Sequence, residues 1–308
     1  MRSQKNKAKK NLVLGVWEGE LAFVKLAPFI ISLKKTGFKG DICFFVNKVG
    51  VIDRLFLRLA GVKVIKIDRA KVLKEVSAEI ATDLSFSFGN SSIQAFRYLA
   101  QYSFLSKLSG QYSHVLLVDL RDVVFQKDPF DFDLKPLSLF YEHKSTTIEG
   151  DSSNSAWIKR LFGQEVLNEI GSNTPICSGV IIGLVPEIIE LIKELLTIPL
   201  KNHPRYGEDQ GILNYYVYKL RPADIATFAN EDGPVMHSGP VPSAELRLSP
   251  EGLVLNESGN VVNIVHQYDR HPTLMAAFLK RYSFPEPVYF LYFKISQAKN
   301  ILSRLWRK

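Results

Sequence analysis

His114-Val-Leu-Leu-Val-Asp-Leu-Arg-Asp-Val-Val-Phe-Gln-Lys-Asp-Pro-Phe130 is the stretch on which the fold turns. A short apolar run, Val115 to Val118, leads directly into Asp119 and Asp122. A buried strand that delivers acids at its C-terminal end places them at the mouth of an open α/β sheet, where such sheets bind ligands. Carboxylates there can hold a hard divalent ion against a diphosphate, because Mg²⁺ and Mn²⁺ prefer oxygen ligands. The plainer alternative is that Asp119 caps the next turn and Asp122 faces solvent.

Outward from this stretch, strand and helix patterns alternate. Asn11–Val16, Asp41–Val46 and Val62–Ile67 read as buried strands. Leu137–Tyr141 and Ser178–Gly183 have the same character. Between them, helical patterns cover residues 20–35 with Pro28 as a kink, 52–59, 92–108, 155–170 and 186–196. Alternation of this kind predicts an α/β fold: a mainly parallel central sheet covered by helices on both faces. Beyond Gly207 the pattern becomes irregular, and residues 231–250, rich in Pro, Gly and Ser, read as loops over one edge of the sheet.

The chain has 308 residues, 46% hydrophobic and 23% charged, enough for one large α/β domain with a sizeable core. No apolar run approaches the ~20 residues that span a bilayer. The apolar segment after the basic N-terminus soon meets Glu18 and Glu20, so it does not read as a signal peptide. Two isolated cysteines, Cys43 and Cys177, suit a reducing compartment, so a cytoplasmic location is expected.

The net charge of +8 is carried by the ends: residues 1–10 and 287–308 each hold five basic residues and no acid. The intervening body is therefore near −2, which argues against a nucleic-acid partner. Leu291, Ile295, Ala298, Leu302 and Leu305 fall on one face of a helix, with lysines and arginines elsewhere and Trp306 near its end. A basic amphipathic helix over 284–308 can lie peripherally on an anionic membrane surface or dock on the body. The expected organisation is a basic tail (1–10), one domain (11–283) and this helix.

Gly15 and Gly19 do not form G-x-G-x-x-G, and no G-x-x-x-x-G-K-[ST] occurs, so dinucleotide and P-loop sites lack support. Four other segments, in order, carry a resemblance: Asp119-Leu-Arg-Asp122, Cys177-Ser-Gly-Val-Ile-Ile-Gly183, Glu208-Asp-Gln-Gly-Ile-Leu-Asn214 and Val265-His-Gln-Tyr-Asp-Arg270. Together they resemble glycosyltransferases of the GT-A fold, nearest to the retaining, glycogenin- and galactosyltransferase-like family eight. The first is similar to that fold's D-x-D metal motif, the second to a small-residue strand beginning near N-x-G-V. The third is similar to D-Q-D-x-L-N, and the fourth stands where the family has a late metal-binding histidine.

The resemblance implies transfer of a hexose from a nucleotide-diphosphate sugar, a UDP-sugar above all, to a hydroxyl of a glycan or lipid-linked acceptor. It implies that Asp119, Asp122 and His266 hold Mn²⁺ or Mg²⁺, with Asp209 bonding sugar hydroxyls and Gln210 near the anomeric carbon. Arg121 and Arg270 would face the donor's phosphates, Arg97 would pair with the donor's sugar or phosphate or with Asp119 itself, Trp17 would stack on the base, and Gly179 would let the donor approach the backbone.

Each residue also has a structural alternative. His266 can be a packed histidine, Arg270 a solvated one, Arg97 a salt-bridge partner and Trp17 a core residue. Gly179 can be a bulge, while Glu208 and Asp209 can cap a helix. Arg121 stands where strict D-x-D has its second acid, and Gly211 where the third motif has another acid. Haloacid-dehalogenase phosphatases place their second acid at the position Arg121 holds. Nucleotidyltransferases carry a Gly- and Lys-rich segment where this chain has Trp17-Glu-Gly-Glu20. A catalytically degenerate sugar- or nucleotide-binding module of the same fold is the non-enzymatic alternative.

Overall fold

The structure is a computed structural model that describes residues 9–108, 110–220 and 225–305, with side chains described through residue 298. Its strands show why the sequence alternates. In β1 (Lys10–Leu21), Leu12 and Leu14 enter one apolar cluster and Val13 another, because successive side chains leave a strand on opposite faces. The same division separates Cys43 and Phe45 from Phe44 and Val46 in β2 (Asp41–Val49). The third strand is β3 (Val62–Lys66). In β4 (Tyr112–Asp119) the division separates Val115 and Leu117 from Leu116 and Val118.

Beyond β4 come β5 (Val123–Phe125), β6 (Leu137–Tyr141), β7 (Ile176–Leu184), β8 (Ala226–Phe228) and β9 (Val235–His237). They are followed by β10 (Arg247–Leu248), β11 (Val254–Leu255) and β12 (Ile264–His266). The central sheet has seven strands in the order β3-β2-β1-β4-β7-β6-β8. Only β7 runs antiparallel to its neighbours. The sheet is thus mainly parallel, as expected. The reversed β7 was not legible, because a fully buried strand reads the same in either direction.

Helices α1 (Ala27–Lys35) and α2 (Val51–Leu59) cover one face of the sheet. Helix α3 (Arg69–Glu79) and the single turn α4 (Ser85–Phe88) lead to α5 (Ile93–Leu105), which lies on the other face. That face is completed by α6 (Ser152–Phe162), α7 (Gln164–Ile170), α8 (Val185–Thr197) and α9 (Glu208–Tyr215). After α10 (Pro272–Arg281), α11 (Glu286–Leu305) returns to α2.

Four local expectations are corrected. The first strand continues to Leu21, and Pro28 sits in the opening turn of α1 instead of kinking a longer helix. The helix expected over 155–170 is two helices, because Gly163 at φ +106° interrupts it. The stretch 231–250 contains β9, which joins a three-stranded sheet in the order β5-β12-β9. Finally, the closing helix is docked through Val288, Tyr289, Tyr292 and Ile295, whereas Leu291 faces solvent, so its buried face is offset from the apolar stripe at 291, 295 and 298.

Phe284 and Tyr292 also share a core cluster with Phe23 and Phe56, so this segment is continuous with the body. The residues expected to form the basic tail at 1–8, and the side chains of Leu302, Leu305 and Trp306, lie outside those described. Among the described residues, no helix is long and apolar enough to cross a membrane.

Candidate functional site

β1 leads outward to β2 and β3 on one side, while β4 lies on its other side, so the strand order reverses between β1 and β4. At such a switch point the loops beyond the strands' carboxyl ends separate and leave a crevice. A cleft of about 350 Å³ opens there. All ten residues singled out from the sequence line it: Trp17, Arg97, Asp119, Arg121, Asp122, Gly179, Asp209, Gln210, His266 and Arg270.

Three elements deliver the acids and the histidine. β4 ends on Asp119, and Asp122 immediately precedes β5. β5 then pairs antiparallel with β12, which sets His266 opposite Val123 and therefore beside Asp122. His266 Nε2 lies 3.6 Å from Asp119 Oδ2 and 3.6 Å from Asp122 Oδ1. Bonds of about 2.1 Å place cis ligands of one octahedral ion ~3.0 Å apart, so a small side-chain shift would bring these atoms to a shared ion. The Asp119 side chain is 41% exposed and that of Asp122 only 8%, which makes Asp119 the accessible oxygen donor.

Gly179 supports the same geometry. Because β7 is reversed, its N-terminal end meets the carboxyl edge of β4 and brings Cys177, Ser178 and Gly179 to the cleft. A Cβ at residue 179 would lie 2.2 Å from His266 Cε1 and 3.0 Å from Asp119 Oδ2. Only glycine leaves the imidazole and the carboxylate room to face each other.

Electrostatics separate the two acids. Burial opposes ionisation of Asp119, yet the Arg97 guanidinium and His266 outweigh it and hold this carboxyl well below the usual range. Asp122 is raised, chiefly by burial and further by the Asp119 and Asp269 carboxylates. Burial disfavours a charged His266, but Cys177, Asp122 and Asp119 together hold it above the ordinary imidazole value. Without an ion the Nε2 proton serves the carboxylates; a cation there would take its place.

Arg97 behaves as a clamp. Nη1 donates to Asp119 Oδ1 at 2.6 Å, and Nη2 donates to the Ser178 carbonyl at 2.8 Å and to Asp209 Oδ2. The Ser178 hydroxyl donates to that same Asp209 oxygen at 2.9 Å. Gln210 is similarly engaged. Its Oε1 accepts from the Ser178 N–H at 3.3 Å, and Nε2 donates to Glu142 at 3.1 Å and to Asn154 at 2.9 Å. Of the capping alternative, Glu208 accepts from Arg160 and from the Arg205 N–H, both at 2.6 Å, while Gly207 in the left-handed region stands at the N-cap. Arg121 and Arg270 lie at the rim with Asp269 between them, at 3.9 Å and 3.2 Å. Their side chains are 57% and 50% exposed, so both remain accessible to a ligand.

Several residues were missed. His237 is fully buried on β9, in a stretch that reads as loop, and its Nδ1 lies 2.9 Å from His266 Nδ1. Burial and the charge of His266 hold it well below the ordinary value. As a neutral acceptor it fixes the His266 Nδ1 proton and leaves Nε2 turned to the carboxylates. Cys177 Sγ, 3.6 Å from the same nitrogen, completes a buried Cys177–His237–His266 group behind the Asp119–Asp122–His266 one, and either could hold an ion. The third such group, His143 with Glu245 and Glu257, is partly spent on Lys144, which pairs with Glu257 at 2.5 Å.

Trp157 and Tyr206 line the cleft, and Trp157 explains Gly211: a Cβ there would meet the Trp157 Cβ at 3.2 Å. The place of the missing third acid is thus filled by tight packing of α9 on α6. Gln94 Oε1 and Gln267 Oε1 belong to cleft residues and are buried acceptors with no hydrogen-bond partner among the described residues. Compared with known proteins, the chain matches no protein-family model and no curated protein.

Proposed function

We propose that the chain is a metal-assisted glycosyltransferase of GT-A-like fold. It moves a hexose from a nucleotide-diphosphate sugar, a UDP-sugar first, to a hydroxyl of a glycan or lipid-linked acceptor. The observation that carries this reading is the convergence of Asp119, Asp122 and His266 at the carboxyl edge of the sheet, with Gly179 leaving the space before them open. Two carboxylate oxygens suit Mn²⁺ or Mg²⁺, and the imidazole nitrogen favours Mn²⁺ of the two. Such an ion, when bound, neutralises charge on the departing diphosphate.

The chain's own residues supply the rest. Arg121 and Arg270 offer guanidinium forks to phosphate oxygens at the rim. Arg97 is already committed to two carboxylates, so it holds Asp119 and Asp209 in place and does not grip the donor. Asp209 is nearly buried and its Oδ2 is held by Arg97 and Ser178, which leaves Oδ1 as the oxygen for a sugar hydroxyl. In the transfer the anomeric carbon–oxygen bond to the diphosphate breaks, and its electron pair leaves with the diphosphate. The acceptor oxygen forms the new bond to the anomeric carbon and gives its proton to the oxygen of the departing diphosphate.

A binding module without turnover is the second reading. It is favoured by Gln210, whose amide is occupied by Ser178, Glu142 and Asn154 and so is not free to act at the anomeric carbon.

A thermal-shift panel of UDP, GDP, CMP and ADP, each with and without Mn²⁺, tests both readings. A ligand at ~100 times its dissociation constant stabilises by about 2.7 kcal/mol, a rise of several degrees in a domain of this size. We expect a shift with UDP that requires Mn²⁺, followed by release of UDP from a UDP-hexose. A shift without release supports a nucleotide-binding module, and no shift with any nucleotide sinks the transferase reading and leaves a module that binds sugar alone.

A further inference from the structure

The outer surface of α2 inverts the usual pattern of a surface helix. Its buried side is Phe56 and Leu57, yet Val51, Leu55 and Leu59, four residues apart on one face, are 76%, 47% and 72% exposed. The other exposed positions of α2 are Arg54 and Arg58, and none is acidic. α11 packs alongside, with Tyr292 filling the seam: its ring lies 5.3 Å from Phe56 and its hydroxyl donates to Asp53 at 2.7 Å. On its outer side α11 exposes Phe290, Leu291 and Phe293, and Lys294 lies over the Phe290 ring. Large apolar side chains left exposed on two helices that pack together, with Glu286 the one exposed acid on the described part of α11, mark an interaction surface.

We infer that this α2–α11 face docks on an anionic lipid bilayer. Charge selects the occupant. Arg54 shares one surface depression with Arg58 and another with Lys48 and Lys66, where Glu20 is the one acid in the lining. Cations that ring an apolar stripe seat its side chains among acyl chains and their own charges among anionic headgroups. A second copy of the chain fits poorly, because a two-fold contact through this face would bring two copies of one cationic patch together.

The depression at Lys48, Gly50 and Arg54 lies at the carboxyl ends of β1, β2 and β3, the sheet edge on which the cleft opens. A docked molecule therefore carries its cleft along the lipid plane. If the transferase reading holds, the acceptor this favours is lipid-linked; the docking itself does not depend on that reading.

The test is co-sedimentation of the full chain with vesicles of phosphatidylcholine alone and of phosphatidylcholine with a quarter phosphatidylglycerol. Binding to the anionic vesicles, released by high salt, is expected. The double variants Leu55→Glu/Leu59→Glu and Arg54→Glu/Arg58→Glu should each weaken it at least ~10-fold, with UDP-dependent thermal shifts unchanged. Wild-type protein that stays in the supernatant overturns the inference, as do variants that sediment like wild type. So does light scattering that shows a dimer which Leu55→Glu/Leu59→Glu dissociates.

Discussion

The cleft and the α2–α11 face break the ordinary partition of residues in opposite senses. Around Arg97 the protein buries what is usually left in water: a guanidinium, the carboxylate of Asp209 and the acids Asp122 and Glu142 are nearly inaccessible. On α2 it leaves in water what is usually buried. Both arrangements cost free energy in the isolated protein, and each is repaid only by something outside the chain or by a specific partner within it. Function is best sought where the partition fails, and the sense of the failure indicates the chemistry of what is bound.

Substitutions in the two regions should therefore behave differently, and the largest effect belongs to the clamp. Arg97→Met leaves the Asp209 carboxylate buried without its counter-charge, so urea unfolding should show a loss of about 3–5 kcal/mol. A loss below ~1 kcal/mol would mean that the carboxylates are not held as ions.

Glu142 comes next. Burial pushes its carboxyl up to about 7 from 4.5, so the folded protein keeps a proton that the unfolded chain has already released. Its contribution is complete below pH 4.5 and disappears as the pH rises through about 7, a loss of up to ~3 kcal/mol. Glu142→Gln should flatten the decline in unfolding midpoint between pH 5 and 7, and an unchanged decline would assign the slope to other groups.

Asp122→Ala separates function from stability. Turnover of the UDP-sugar should fall at least ~10²-fold, while stability should not fall, because burial already works against the charged carboxyl. A variant near full activity would remove Asp122 from the site.

His237→Gln should weaken Mn²⁺ binding, read by calorimetry, ~10–100-fold, by loosening the imidazole that it orients. Unaltered affinity would make His237 a packing residue. The smallest effect is at the other region: Leu55→Glu should move the unfolding free energy by less than ~0.5 kcal/mol, since nothing covers that side chain in the free protein.

The alternation of short apolar runs with helical spacing was enough to read the large sheet, and acids directly after the run Val115–Val118 were enough to place a site at its edge. Ten residues scattered from Trp17 to Arg270 could be named because they stand in short motifs, on strands or at their ends for most and on α5 and α9 for Arg97, Asp209 and Gln210. What could not be read depends on pairing between distant segments. The direction of β7 leaves no trace in Ile176–Leu184, which is buried on both faces. β9 and β12 are three residues each, too short for a period to show, so their alignment with β5 and the meeting of His237 with His266 stayed hidden. The pairing of Arg97 with Asp119 was among the expectations, but its second commitment, to Asp209, and those of Gln210 were invisible, since a sequence shows a polar group but not every partner that claims it.

The placement of His266 on β12 has a consequence for the order in which the chain is made. Synthesis runs from the N-terminus, and a nascent chain that has reached Phe228 already contains every strand of the seven-stranded sheet. It contains neither His237 nor His266, and β5 still lacks the strand it pairs with. The cleft is therefore among the last parts of the molecule that can be finished on the ribosome, and any cation or nucleotide that needs the histidine binds only a chain whose synthesis has passed residue 266.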